Sequence, residues 1–99
     1  MEKAILCFIR RDNNEVLMIY DEYPHGAVWN GISGSIDNGE TAQKAVVREV
    51  KEEVGIDVQE SDLKYLGTYE SFAIFEEPTY FTFSHPNTSK PRTFLQSTR

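Results

Sequence analysis

The chain has 99 residues, 16 acidic against 10 basic, a net charge of −6, and 39% hydrophobic content. That length holds one domain with a small core. The apolar fraction excludes a disordered chain, and no apolar run reaches the ~20 residues of a membrane-spanning helix. One cysteine, Cys7, leaves no internal disulfide, and Met-Glu-Lys-Ala-Ile at the start carries no signal-peptide pattern, so the expected compartment is the cytoplasm. The acidic balance argues against polymeric nucleic acid as a partner.

In chain order, Ala4 to Arg10 is short and apolar on both faces, which predicts a buried strand. Asp12-Asn13-Asn14 is a turn, and Glu15 to Tyr20 is the return strand of a hairpin. Residues 21 to 39 hold four glycines and one proline, and read as a long irregular loop with a short strand at 31 to 36. Thr41 to Val54 is the predicted helix, with Thr41 as N-cap and Gly55 at the left-handed residue that ends it. Leu63 to Phe75 is extended, Glu76-Glu77-Pro78 a turn, and Thr79 to Ser84 a further strand. From Pro86 the text PNTSKPRTFLQSTR has neither period 2 nor period 3.6. The expected organisation is a domain over 1–85 and an irregular tail over 86–99. Five strands around one helix give an α+β fold with a mixed sheet.

The helix carries glutamates inside its apolar stripe. With Ala42 at 0° and about 100° per residue, Val46, Val50 and Val54 fall at about 40°, 80° and 120°, while Glu49 and Glu53 fall at about 340° and 20°. Glu52 borders the arc, and Lys44 and Lys51 lie opposite. A solvated charge run should face away from the valines. Glu49, Glu52 and Glu53, spaced i, i+3 and i+4, instead crowd one partly buried patch. Such a patch persists when protonated, paired or bound to a cation. Arg48 can neutralise one member. Oxygen-only donors favour Mg²⁺, with Mn²⁺ as the other hard candidate.

From Gly34 to Ile56 the chain reads GSIDNGETAQKAVVREVKEEVGI. It resembles the Nudix box: Gly, five residues, Glu, seven residues, then Arg-Glu-apolar-x-Glu-Glu-x-Gly-apolar. Gly34, Glu40, Arg48, Glu49, Val50, Glu52, Glu53, Gly55 and Ile56 fill every fixed position. A chance match is on the order of 10⁻⁹ per start position. The resemblance implies a Nudix-like mixed sheet with the box as a loop–helix–loop packed on it. Nudix members use the box to hold divalent metal on the diphosphate of a nucleoside diphosphate linked to another group. By position, it implies Glu49 and Glu53 as direct metal ligands and Glu52 as a ligand or the holder of a metal-bound water, with the carbonyl near Ser33 and Gly34 completing the set. Arg48 and Glu40 would brace the helix, with Arg48 counted among the catalytic residues, and Gly55 is structural. Glu49 or Glu52 would orient or deprotonate the attacking water.

Val28-Trp29-Asn30-Gly31, followed by Gly39-Glu40-Thr41, is similar to the MutT-like subgroup that removes pyrophosphate from oxidised purine nucleoside triphosphates. This implies Asn30 and Trp29 as substrate contacts, since an amide offers both a donor and an acceptor to a base edge. Read without the resemblance, Trp29 is core and Asn30 turns the chain. Ser33 and Ser35 stand where many members have Gly and a basic residue. The chain also lacks the length for the family's closing C-terminal helix, and residues 78 to 99 contain no acid. The expected function is a Mg²⁺-dependent nucleotide pyrophosphohydrolase yielding a monophosphate and pyrophosphate. The alternative is a nucleotide-binding or regulatory domain without turnover, or an inactive remnant covering its open sheet as a homodimer. Cys7 reads as a core hydrophobe, and His25 and His85 as loop residues.

Overall fold

The computed structural model describes residues 2–10, 15–23, 26–78 and 92–96. The strands are β1 (Ala4–Arg10), β2 (Glu15–Tyr23), β3 (Gly26–Asn30), β4 (Ile32–Ser35), β5 (Lys64–Tyr69), β6 (Phe72–Pro78) and β7 (Arg92–Gln96). Helix α1 (Ala42–Val54) and a 3₁₀ turn at Glu60–Asp62 separate β4 from β5. The sheet runs β3-β2-β1-β6-β5, with β4 also paired to β1 and β7 to β2. It is mixed: β1 and β6 run parallel, from Ala4↔Phe72 to Arg10↔Pro78, and the other pairs are antiparallel.

Alternation along β1 sets the two faces of this sheet. Ile5, Cys7 and Ile9 are fully buried, whereas Leu6 and Phe8 are half-buried on the other side. Ala73 and Phe75 of β6 join the buried face, and α1 covers it with Ala45, Val46, Val50 and Val54. Each valine, isoleucine or phenylalanine so buried is worth roughly 1.5–3 kcal/mol, which fixes the helix on the sheet. Its ends form as the sequence indicates. Thr41 Oγ1 accepts from the Lys44 N–H at 3.1 Å. Gly55 adopts φ 75° and its N–H donates to the Lys51 carbonyl at 3.0 Å. Lys44 and Lys51 point outward to Glu60 and Asp57.

Several sequence expectations are corrected. The loop read over 21–39 holds more strand than the short one expected at 31 to 36, which is β4: β2 continues to Tyr23, and β3 follows. Cross-strand pairing from Ile19↔Asn30 to Tyr23↔Gly26 overrides the glycine content. The extended stretch 63–75 is two strands joined by a turn at Glu70 and Ser71, both with positive φ. Neither is Gly or Pro, so composition gave no signal there. Glu76 to Pro78 is the end of β6 rather than a turn, with Pro78 at a strand terminus where its missing N–H is tolerated. Within the tail read as irregular, residues 92–96 form β7, paired to β2 from Glu15↔Gln96 to Ile19↔Arg92. The strand proposed at 79–84, His25 and His85 lie outside the described residues. No helix among the described residues is long and apolar enough to cross a membrane.

Candidate active site

Arg48 is the hub of the loop–helix junction. Its Nε and Nη2 donate to the two Glu40 carboxylate oxygens at 2.8 and 2.9 Å. Nη1 donates to Glu49 Oε2 at 2.9 Å and to Glu52 Oε1 at 3.4 Å. Nη2 also reaches the Ser35 carbonyl at 2.9 Å and Asp37 at 3.5 Å. Glu40 Oε1 accepts from the Asp37 N–H as well, which closes the loop onto the helix. The Arg48 guanidinium, then the Asp37 N–H, hold the Glu40 carboxyl at about 2, well below its ordinary 4.5. The same bond to Glu40 is the chief cause that raises Arg48. Glu40 and Arg48 thus bond the loop to the helix. Asp37 and the Ser35 carbonyl join them, and neither is a fixed position of the pattern.

Glu49 is far more enclosed than Glu52. Gly34, opposite Ile5 in the β1–β4 register, faces the helix, and a Cβ there would overlap the Glu49 carboxylate. Only a residue without a side chain lets strand and carboxylate meet this closely. The Glu49 side chain is 13% exposed and that of Glu52 57%. Glu53, one turn on from Glu49, is half-buried as its helical angle requires. Among the described residues no three His, Cys, Asp or Glu side chains converge as a ready-made metal-ligand group. The donor set is nonetheless all oxygen, and Gly34 leaves a carboxylate-filled cradle beside the strand, a chemistry that fits a hard divalent ion.

The opposite face of the sheet carries a cavity of about 260 Å³, lined by Leu6, Asn30, Ser33, Tyr69, Phe72 and Ile74. Strand β4 therefore separates two environments, with Gly34 against the glutamates and Ser33 against the cavity. Asn30 both lines the cavity and turns the chain, its Oδ1 accepting from the Gly31 N–H at 2.9 Å. Trp29 is not among the lining residues. It packs on Tyr20 across the β2–β3 pair, with ring centroids 5.1 Å apart. Tyr69 and Phe72, read from sequence as ordinary strand residues, meet as a register pair at the cavity. Nothing in the linear spacing of Leu6, Ser33 and Phe72 could have joined them, because β1–β4 and β1–β6 pairing does so.

The NUDIX domain family model matches residues 2–96. The NAD-capped RNA hydrolase NudC of Vibrio atlanticus (strain LGP32) is 39% identical over 65 residues, 66% of this chain and 23% of that protein. The dihydroneopterin triphosphate diphosphatase of Escherichia coli (strain K12) is 43% identical over 55 residues, 56% of this chain and 37% of that protein. The chain thus spans well under half the length of these curated relatives. Among solved structures, one from work on the MutT proteins of Aliivibrio salmonicida and Vibrio cholerae superposes with TM-score 0.74 at 19% identity, covering 95% of this chain and 78% of that one. The Escherichia coli dihydroneopterin triphosphate pyrophosphohydrolase gives 0.72 at 24% identity, covering 97% and 83%. At those identities the superpositions speak for the fold. Together with the filled box, the family match over nearly the whole chain leads to one conclusion: the chain belongs to the NUDIX domain family.

Proposed function

We propose that the chain is a divalent-metal-dependent hydrolase of a phosphoanhydride bond in a nucleotide, releasing a nucleoside monophosphate and pyrophosphate from a triphosphate. The observation that carries this reading is the Glu49 carboxylate seated on side-chain-free Gly34, with Arg48 holding Glu40, Glu49 and Glu52 around it. Glu49, Glu52, Glu53 and the Gly34 carbonyl would hold Mg²⁺ or Mn²⁺. Bound there, the ion offsets charge on the diphosphate oxygens and acidifies water. Arg48 keeps Glu49 in one rotamer, while Glu40 fixes Arg48.

Water attacks the phosphorus, the bridging P–O bond breaks, and the electron pair leaves on the pyrophosphate oxygen. Glu52 Oε1, solvent-accessible and held only at 3.4 Å, takes the proton from that water. The base of the nucleotide occupies the cavity, where Asn30 offers an amide and Tyr69 and Phe72 offer aromatic faces.

The names of two relatives put dihydroneopterin triphosphate and NAD-capped RNA in the panel, and the MutT-like resemblance adds purine (d)NTPs, including oxidised ones, all assayed with Mg²⁺ for products. Turnover of a member, lost in Glu49→Gln, is expected. No turnover of any member by the folded chain overturns the hydrolase reading. A second reading, nucleotide binding without turnover, is favoured by one observation, the absence of a three-acid metal group among the described residues. It requires saturable binding without product.

A further inference from the structure

Strand β6 carries two adjacent glutamates with opposite fates. Glu76 is bound by Arg10 at 3.0 and 3.2 Å on the cavity side of the sheet. Glu77, in register with Ile9, turns to the face that holds Cys7 and Phe75. It is 5% exposed, and its Oε1 has no hydrogen-bond partner. A buried carboxylate oxygen left unpaired is costly once the group is charged.

Among the described residues, the groups around it offer no counter-charge. Asp62, in the 3₁₀ turn, adds a like charge. From β1 comes the Cys7 thiol, while Arg10 is engaged by Glu76 across the sheet. The buried face of α1 is Ala45, Val46, Val50 and Val54, and Lys44 Nζ is taken by Glu60 at 3.1 Å. On β5, Lys64 stands opposite Glu76 rather than Glu77.

We propose that Glu77 is a proton-operated latch on the β1–β6 seam: protonated, it lies closed against Ile9 beside Asp62, and on losing its proton it drives that corner open to water. Burial first, and the Asp62 charge second, push the Glu77 carboxyl up to about 7 from 4.5. An acid raised in the folded state binds its proton more tightly than in the unfolded chain. Its protonated form therefore favours the closed seam, and that advantage is lost progressively as pH rises from about 4.5 to 7. The latch works near neutrality.

Cys7 is the reporter. It is the single thiol, 0% exposed, and burial with Glu77 and Glu76 pushes its pKa up to about 12, so it reacts only when the seam opens. Labelling the full chain with 4,4′-dithiodipyridine from pH 5 to 8, beside Glu77→Gln, cancels the reagent's own pH dependence. The ratio of wild-type to variant rates should be smallest at pH 5 and rise at least ~10-fold by pH 8. Asp62→Asn should move the midpoint of the rise downward and shrink its amplitude, because removing a neighbouring like charge eases ionisation in the closed seam and so weakens the drive to open. A carboxyl titration of Glu77 followed by ¹³C NMR should centre near neutrality, and it needs no variant to fold. A flat rate ratio, or a Glu77 midpoint in the ordinary range near 4.5, overturns the proposal.

Discussion

Glu49 and Lys51 sit two residues apart and take opposite roles, one packed on Gly34 and the other reaching Asp57 at 3.1 Å. Glu49→Gln and Glu53→Gln keep shape and remove charge. Each should lower turnover by at least ~10²-fold, on the scale of losing one preorganised electrostatic contact. Lys51→Gln should change turnover little, and steady-state kinetics of the three variants decide the matter. Glu40 makes a pH prediction. Its folded-state value near 2 against 4.5 means its stabilising contribution is complete above about 4.5 and lost as pH falls toward 2. The melting temperature of Glu40→Gln should therefore trail wild type at pH 6, and the gap should close below pH 3. A gap that persists at pH 2 would mean that Glu40 acts through packing. Gly34→Ala is a steric counterpart: the added methyl meets the Glu49 carboxylate, so turnover should fall with Glu49 itself unchanged.

At the scale of elements, α1 is held by its valine stripe and by its caps. Val50→Ala should cost roughly 1–3 kcal/mol of stability, by lost transfer energy and a cavity under the helix. Gly55→Ala should cost about 1 kcal/mol, since φ 75° suits glycine. Urea denaturation of both variants measures the two effects. This helix was fully legible in the sequence because its information is local: cap, stripe and stop lie within one short segment, and the glutamates share its periodicity. The bidentate Glu40–Arg48 pair was legible only through the resemblance. Of the cavity lining only Asn30 was singled out in the sequence, through the resemblance, since Leu6, Asn30, Ser33 and Phe72 come from four strands. The β5–β6 turn was missed for the opposite reason, because Glu70 and Ser71 adopt positive φ without the residues that usually announce it. β7 has no pattern of its own and takes its conformation from β2.

Across the whole molecule, β2 is bonded on both edges. Val16 pairs with Arg10 and Leu95, and Ile19 with Asn30 and Arg92. Deleting residues 92–99 strips one edge from Glu15 to Ile19, an EVLMI stretch of high β-propensity. The shortened chain should scatter light with a concentration dependence that the full chain lacks. The parallel seam of β1 and β6 has a different consequence, one in time. Strand β1 has a partner at residues 72–78, beyond four strands and the helix. On a ribosome the N-terminal hairpin and the box helix emerge with their apolar faces bare, and wait. The core cannot close until β6 arrives, so folding is governed by a late, long-range pairing and should be slower than that of a helical bundle of the same length.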